Sequence, residues 1–398
     1  SMPYLFTSEE AYHAVMNDTD YMENVYDSTD EAGFRVMTWY NAGTRNFYAT
    51  TPIYTPDDLK GLKIRVQQSP ASVKMVQAFG AAATPLSFGD VYTAIQQHVI
   101  DGAENNELAL TNNKHGEVAK YFSYTKHQMV PDMLVGNLKF LNSLSDEELA
   151  VFKEAARLST EEELSCWDDQ VEEAKQIAEN DMGVTFIDVD ISEFSNKVSN
   201  VQQEMLDANP DIQDLYDHIQ AINAEYEQRT MKSLHKFRHG LDTVLSWVCA
   251  LLFAAMVVVG TYQIVTRYFF GRPSTVSEEL LTYSFTWMAL LSSALVFGKR
   301  DHMRMGFLAD KITGTPRKVL EIISECLVLL LAAVVMLYGG VSIMKLTMTQ
   351  VTASLGIPMG TVYTVLPLSG ALIVVYSVLN IIDLATDSVE EHSSTSAE

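Results

Sequence analysis

Four long stretches without a charged residue fill the second half of the chain, and they leave few architectures open. Thr243–Thr266 runs 24 residues, Leu280–Gly298 runs 19, Cys326–Met344 runs 19 with an apolar lead-in from Val319, and Leu346–Ile382 runs 37. Gly356, Pro358 and Gly360 interrupt the last, leaving about 22 residues for one helix. A bilayer core takes roughly 20 apolar helical residues, because hydrocarbon tolerates no unpaired backbone group. The pattern predicts four transmembrane helices, at about 243–266, 280–298, 320–344 and 361–382, within an all-α membrane domain covering 241–386. Buried helices of a soluble core seldom exceed about 14 apolar residues in a row.

Charge divides the chain at nearly the same place. Residues 1–230 hold 15 Lys and Arg against 39 Asp and Glu, whereas residues 231–398 hold 12 of each. An acidic first half argues against nucleic acid as a partner, which needs a basic footprint. Recurrent apolar and aromatic residues argue against disorder. Cys166, Cys249 and Cys326 are far apart, so neither a zinc site nor a disulfide framework is encoded. Nine basic residues (Lys232, Lys236, Arg238, Lys299, Arg300, Arg304, Lys311, Arg317, Lys318) flank one side of the predicted spans. Three (Arg267, Arg272, Lys345) flank the other, which places the N-terminal side of the first span in the cytoplasm. Residues 229–240 form a basic junction, and 387–398 read as a polar, disordered tail.

The first half, 1–228, reads as alternating α/β. Leu62–Gln67 is strand-like, and Ser69-Pro70 opens a helix. Strands over Ala83–Leu86 and Ile100–Asn105 bracket a helix over Phe88–Gln97, which predicts a parallel sheet covered on both faces. Tyr124–Leu144 reads as two antiparallel strands around Pro131-Asp132. Ser145 and Glu148 form a capping pattern for a long, solvent-exposed helix to Asp181, with a break expected near Ser159-Thr160. Gly183–Val189 is a further strand and Ile191–Ala208 a further helix.

No nucleophile elbow, HExxH, Walker A or strand-linked GxGxxG is present, and no catalytic residue, cofactor or metal site is expected. His13, His98, His115, His127 and His218 lack metal-ligand spacing and read as surface or satisfied side chains. The notable residue is Arg65: in LKIRV it shares a face with Lys63, opposite apolar neighbours. A guanidinium there suits a carboxylate held by two parallel hydrogen bonds, and it equally suits a salt bridge at the strand end. Asn105 ends its strand, where open α/β sheets place ligands, although an Asn there also serves as an ordinary turn residue.

The segment Gly43–Asn106, with LKGLKIRV and IDGAENN, together with His115–His127, resembles the DctP-type solute-binding proteins of TRAP transporters. The similarity runs through most of 1–228, with Ile100 in place of the commoner Val. It implies a two-lobed, periplasmic-binding-protein-like α/β domain in which Arg65 pairs with the carboxylate of an organic acid, assisted by Asn105 and, in some members, by Arg45. Thr266–Met305 and Ser354–Gly370 resemble the small DctQ-type membrane subunit of the same transporters. Val276 stands where many relatives have Trp before Glu278 and Glu279. That pair either caps the second span at a water boundary or contacts a partner subunit, as does His302 in the following loop.

The resemblance implies a component of a secondary transporter for organic acids in the bacterial cytoplasmic membrane, with a large multi-span permease and the bilayer as partners. It also implies a first domain truncated at its N-terminus, since Ser1–Phe6 corresponds to an internal strand and no export signal opens the sequence. A lobe short of strands is expected to hold ligand weakly or not at all. Relatives of the first half work in the periplasm, yet the charge rule puts residue 230 in the cytoplasm, and no span lies between Ile191 and Thr243 to reverse it. A fusion or read-through joining two components, near Met231, accounts for the mismatch. The competing expectation is a membrane-anchored ligand sensor, or a non-catalytic scaffold whose soluble half no longer binds solute.

Overall fold

The computed structural model describes residues 2–272, 274–299 and 315–385. Its chain divides into two compact units, Ser1–Arg229 and Thr230–Glu398. Helix Gln213–Tyr268 contributes residues to both.

The first unit is an α/β structure with eight strands in two sheets. In chain order these are β1 Phe34–Tyr40, β2 Thr44–Ala49, β3 Lys63–Val66, β4 Ala82–Pro85, β5 Gly102–Asn105, β6 Tyr121–Met129, β7 Asp132–Asn137 and β8 Thr185–Asp188. Six of them form one sheet in the order β4-β3-β5-β2-β6-β8, and β1 pairs with β7 in a separate two-stranded ladder. This is the α/β arrangement expected, with departures in detail.

The large sheet is mixed, not parallel. β3 runs parallel to β4 and β5, but β2 runs antiparallel to both β5 and β6. β6 and β7 do not form a hairpin around Pro131-Asp132: β2 lies along one edge of β6, and on the other β8 pairs with Tyr121–Tyr124 while Tyr4 takes the Thr125 and His127 carbonyls. The chain leaves the sheet at Met129, and Asp132 begins a strand paired with Tyr40. Residues 2–6 are not a strand: Tyr4 is tied to β6 by its N–H to the His127 carbonyl (2.9 Å) and its hydroxyl to the Thr125 carbonyl (2.8 Å). Its φ of 49° is incompatible with extending a ladder.

Helix Asp146–Asn180 is capped as expected, the Ser145 N–H donating to Glu148 (2.8 Å), but it runs without a break. Thr160 does not interrupt it because its hydroxyl donates sideways to the Trp39 carbonyl at 2.7 Å, inside the unit. The helix expected over 191–208 is two, Ile191–Lys197 and Ser199–Ala208, which turn at the buried Val198. Helices Glu9–Met16 and Thr19–Asp27 and strands β1 and β2 escaped the sequence reading.

Alternation along β2 builds two cores from adjacent residues. Phe47 packs with Ile64, Val66, Phe79 and Phe194 on one face of the sheet. Tyr48 packs with Ile95, Ile100, Leu110 and Phe122 on the other. Both faces of the sheet are therefore covered.

Among the described residues the second unit is all-α, with four helices long and apolar enough to cross a membrane: Pro210–Tyr268, which begins in the first unit, Thr275–Lys299, Arg317–Leu346 and Met359–Ala385. The third contains a π-helical stretch, Ala332–Gly339. Leu245, Leu291, Ala294, Ala332, Ile373 and Tyr376 form its core. Charged groups join the helices just outside the charge-free runs. Arg238 pairs with Asp383 and donates to the Asn380 side chain (2.7 Å) and the Gly298 carbonyl. Arg300, Arg304, Lys311, His302 and the tail 387–398 lie outside the described residues.

Candidate functional site

β3 and β5 are parallel neighbours, so their C-terminal ends, bearing Arg65 and Asn105, open on the same edge of the sheet. β2 brings Arg45 to that edge, opposite Gln128 of β6. A cavity of about 340 Å³ forms there, lined among others by Arg45, Arg65, Gln67, Phe88, Asn105 and Asp132.

Arg65 is only 4 % exposed, while Lys63 on the same strand face is in solvent. Its Nε donates to the Leu86 carbonyl at 2.9 Å, and the guanidinium carbon lies 5.4 Å from the centre of the Phe88 ring. Among the described residues no acidic side chain pairs with it. Burial lowers its affinity for the proton, and the distant charge of Glu104 only partly offsets this. The arginine remains a cation, as guanidinium does in proteins, but an under-compensated one.

Arg45 is in the opposite situation. Its Nε and Nη2 grip both oxygens of Glu104, Nη2 also reaches the Glu104 carbonyl (2.9 Å), and Nη1 donates to Asn105 Oδ1 at 3.2 Å. Burial drives the Glu104 carboxyl up, but Arg45 and His127 outweigh it and hold Glu104 at about 2. Burial likewise works against the Arg45 charge, and Glu104 more than restores it. Arg45 is thus neutralised within the wall and orients Asn105. Asn105 Oδ1 also accepts from the Asn106 N–H (2.9 Å), so its Nδ2 is the group left to donate outward.

Two histidines support this edge from within. His127 stacks on Phe47 (4.4 Å), receives or donates a bond at Thr125 (2.9 Å) and lies 3.6 Å from Glu104. His115 bonds the Tyr48 hydroxyl at 2.8 Å, and burial, then the charge of Arg65, pulls it down to about 4. Both are interior side chains with partners, not surface ones. Gly102 of the DG pair has a direct steric reason: a Cβ there would sit 2.4 Å from the Tyr48 carbonyl oxygen, so only glycine lets β5 approach β2 and deliver Glu104.

The structure thus brings Arg65, Arg45 and Asn105 to one cavity. Glu104, Gln67, Phe88 and Asp132 were not singled out from sequence. Glu104 was legible in one respect, since it alternates with the buried Ala103 next to Asn105. In the membrane unit, Glu279 accepts from the Tyr283 hydroxyl (2.8 Å) and from the N–H groups of Ala353, Ser354 and Leu355 (3.2, 2.8 and 2.8 Å). Glu278 is exposed. A larger groove of about 900 Å³ runs past His239, Trp247 and Lys299, but its Arg238 is already committed to Asp383.

Residues 1–209 match the family described as bacterial extracellular solute-binding protein, family 7, and residues 256–387 match the DctQ component of tripartite ATP-independent periplasmic transporters. The chain is 39 % identical over 221 residues to the uncharacterized protein YiiZ of Salmonella typhimurium, covering 55 % of this chain and 67 % of YiiZ. Two solved TRAP periplasmic solute-binding proteins are similar. That of Anaerococcus prevotii, with bound α/β-D-glucuronate, is 47 % identical with a TM-score of 0.55, covering 56 % of this chain and 73 % of that one. That of Xanthobacter autotrophicus, with bound β-D-galacturonate, is 34 % identical with a TM-score of 0.53, covering 55 % and 73 %. The class defined by fold and cavity is a periplasmic-type solute-binding domain followed by a membrane domain. The chain belongs to the family 7 solute-binding proteins of TRAP transporters, fused to a DctQ component, and is a membrane protein of that transporter system.

Proposed function

We propose that the first unit captures a sugar acid of the uronate class, gripping its carboxylate with the terminal nitrogens of Arg65. The observation behind this reading is a buried guanidinium on the cavity wall with which, among the described residues, no acidic side chain pairs. Asn105 assists by donating through Nδ2, Arg45 holds Asn105 in place, and Phe88 packs against the cation. The relatives solved with glucuronate and galacturonate support the choice of acid. The unit works by binding alone, with no bond made or broken. Binding favours a closed arrangement of the lobes through its differential affinity for it.

The membrane unit, by the same reading, supports a large permease subunit that carries the translocation path. Its charge asymmetry supports a cytoplasmic location for the N-terminal side of the first span. Capture from the periplasm then requires the first unit to reach the far side separately from the second. Reporter fusions before residue 230 and after residue 384 test the orientation, and a periplasmic signal from both sinks it.

Calorimetric titration of the full chain in lipid nanodiscs with D-glucuronate and D-galacturonate tests capture. Arg65→Ala should weaken binding by roughly 100-fold, the cost of removing one partner of a buried charge pair. Unchanged affinity in Arg65→Ala excludes this site. Absence of binding to any acid favours the scaffold alternative.

A further inference from the structure

The charge inventory of the cavity wall has a remainder. Arg45 and Glu104 cancel one another within the wall. Arg65 supplies one uncancelled cation and Asp132 one anion, so the lining as a whole balances before any ligand enters. The two stand on different sheets, Arg65 at the end of β3 in the six-stranded sheet and Asp132 at the start of β7 in the ladder. They are not paired with each other. Asp132 is exposed at the cavity, its carboxylate has no hydrogen-bond or ion-pair partner among the described residues, and its backbone is fixed opposite Tyr40. Its charge nonetheless reaches the interior, where it adds to the burial that raises Tyr12, whose hydroxyl is buried without a partner.

We infer that Asp132 sets the ligand preference of this cavity, favouring an acid with one carboxylate and several hydroxyls over a dicarboxylic acid. The inference rests on the proposed capture at Arg65. An ionised carboxylate only accepts hydrogen bonds, so the part of the ligand that meets Asp132 has to donate. Gln67, Asn105, Asn112 and Asn113, also on the wall, both donate and accept, and are indifferent to the sign of what they meet. A sugar hydroxyl satisfies Asp132. A second ligand carboxylate would meet a like charge and lose affinity by about several-fold, the scale of an interaction with an exposed charge. Arg65 thus recognises that the ligand is an acid, and Asp132 rejects one that is an acid twice.

Two acids of the same six carbons test this: D-galacturonate, whose C1 aldehyde closes into a pyranose ring, and open-chain galactarate, whose C1 is a second carboxylate; because ring and chain also differ in shape, the change in preference on replacing Asp132 carries the test. Titrations use the full chain in nanodiscs, as wild type, Asp132→Asn, Asp132→Ser and Arg65→Ala, each checked by thermal melt. Wild type should prefer galacturonate by about several-fold. Both Asp132 variants should bind galacturonate several-fold more weakly and galactarate more tightly, so that the preference narrows or reverses. Arg65→Ala should lose both ligands. If wild type binds the two acids equally, or if the preference survives in both Asp132 variants while Arg65 stays essential, Asp132 is not the discriminator and capture at Arg65 stands. If neither acid depends on Arg65, or none binds, the capture reading fails and the inference with it.

Discussion

Replacing Glu104 by Gln should destabilise the first unit more than any other single isosteric change near the cavity. The substitution keeps shape and volume but leaves the buried Arg45 guanidinium, 8 % exposed, without its counter-charge. Removing one partner of a buried ion pair typically costs about 3–5 kcal/mol. The titration behaviour gives a similar figure: holding this carboxyl at about 2, against an ordinary 4.5, corresponds to roughly 3 kcal/mol. Because the folded value is depressed, that stability is present above pH 4.5 and drains away as pH falls toward 2. At roughly 2–4 °C per kcal/mol for a unit of this size, Glu104→Gln should lower its melting temperature by about 10 °C at neutral pH. It should also flatten the acid limb of the stability curve below pH 4.5. Scanning fluorimetry of the full chain in detergent, run from pH 2 to 8, reads both effects. The double variant Arg45→Met, Glu104→Leu removes both charges and should melt well above the single variant. A single variant within about 2 °C of wild type would refute the account of Arg45 and Glu104 as a mutually dependent pair. So would a double variant no better than the single.

Three further outcomes follow from the same geometry. His115, buried and pulled down to about 4, should make the first unit lose stability as pH falls from about 6.5 toward 4, since the unfolded chain takes up that proton first. His115→Gln, which can still bond the Tyr48 hydroxyl, should flatten that interval in the same melt series, and an unchanged slope counts against it. Gly298→Val should disrupt helix packing in the membrane unit, because a Cβ there would lie 2.4 Å from the ring of the buried Tyr376. Loss of the folded, monodisperse species in detergent chromatography is the expected result. Glu279→Ala removes the acceptor of three backbone N–H groups, and hydrogen exchange at Ala353, Ser354 and Leu355 should accelerate while the helices keep their protection.

The membrane unit was the most legible part of the chain, because burial in hydrocarbon imposes one requirement that any run of some twenty uncharged residues reveals. The long helix opened by Ser145 was legible for a local reason too, since a capping box is a property of four consecutive residues. Its continuity past Ser159-Thr160 was not, because what keeps the helix intact there is the distant Trp39 carbonyl. The same limit explains β6 and β7. Pro131-Asp132 is turn chemistry and reads as a hairpin, but strand pairing is decided by which edges are free, and those of β6 were taken by β2 on one side and by β8 and Tyr4 on the other.

At the cavity, sequence alone identified residues capable of holding an anion: an arginine on a strand and an asparagine at a strand end, with the family resemblance adding a second arginine. It did not determine which arginine is available. Arg45 and Arg65 are the same side chain on strands that flank β5 in one sheet, yet one is spent on Glu104 and the other meets only a carbonyl and a ring. That difference depends on β5 being pressed against β2 at Gly102, which sets Glu104 beside Arg45. Residue type fixes what a group can bond. The packing of strands remote in sequence fixes what it is left free to bond.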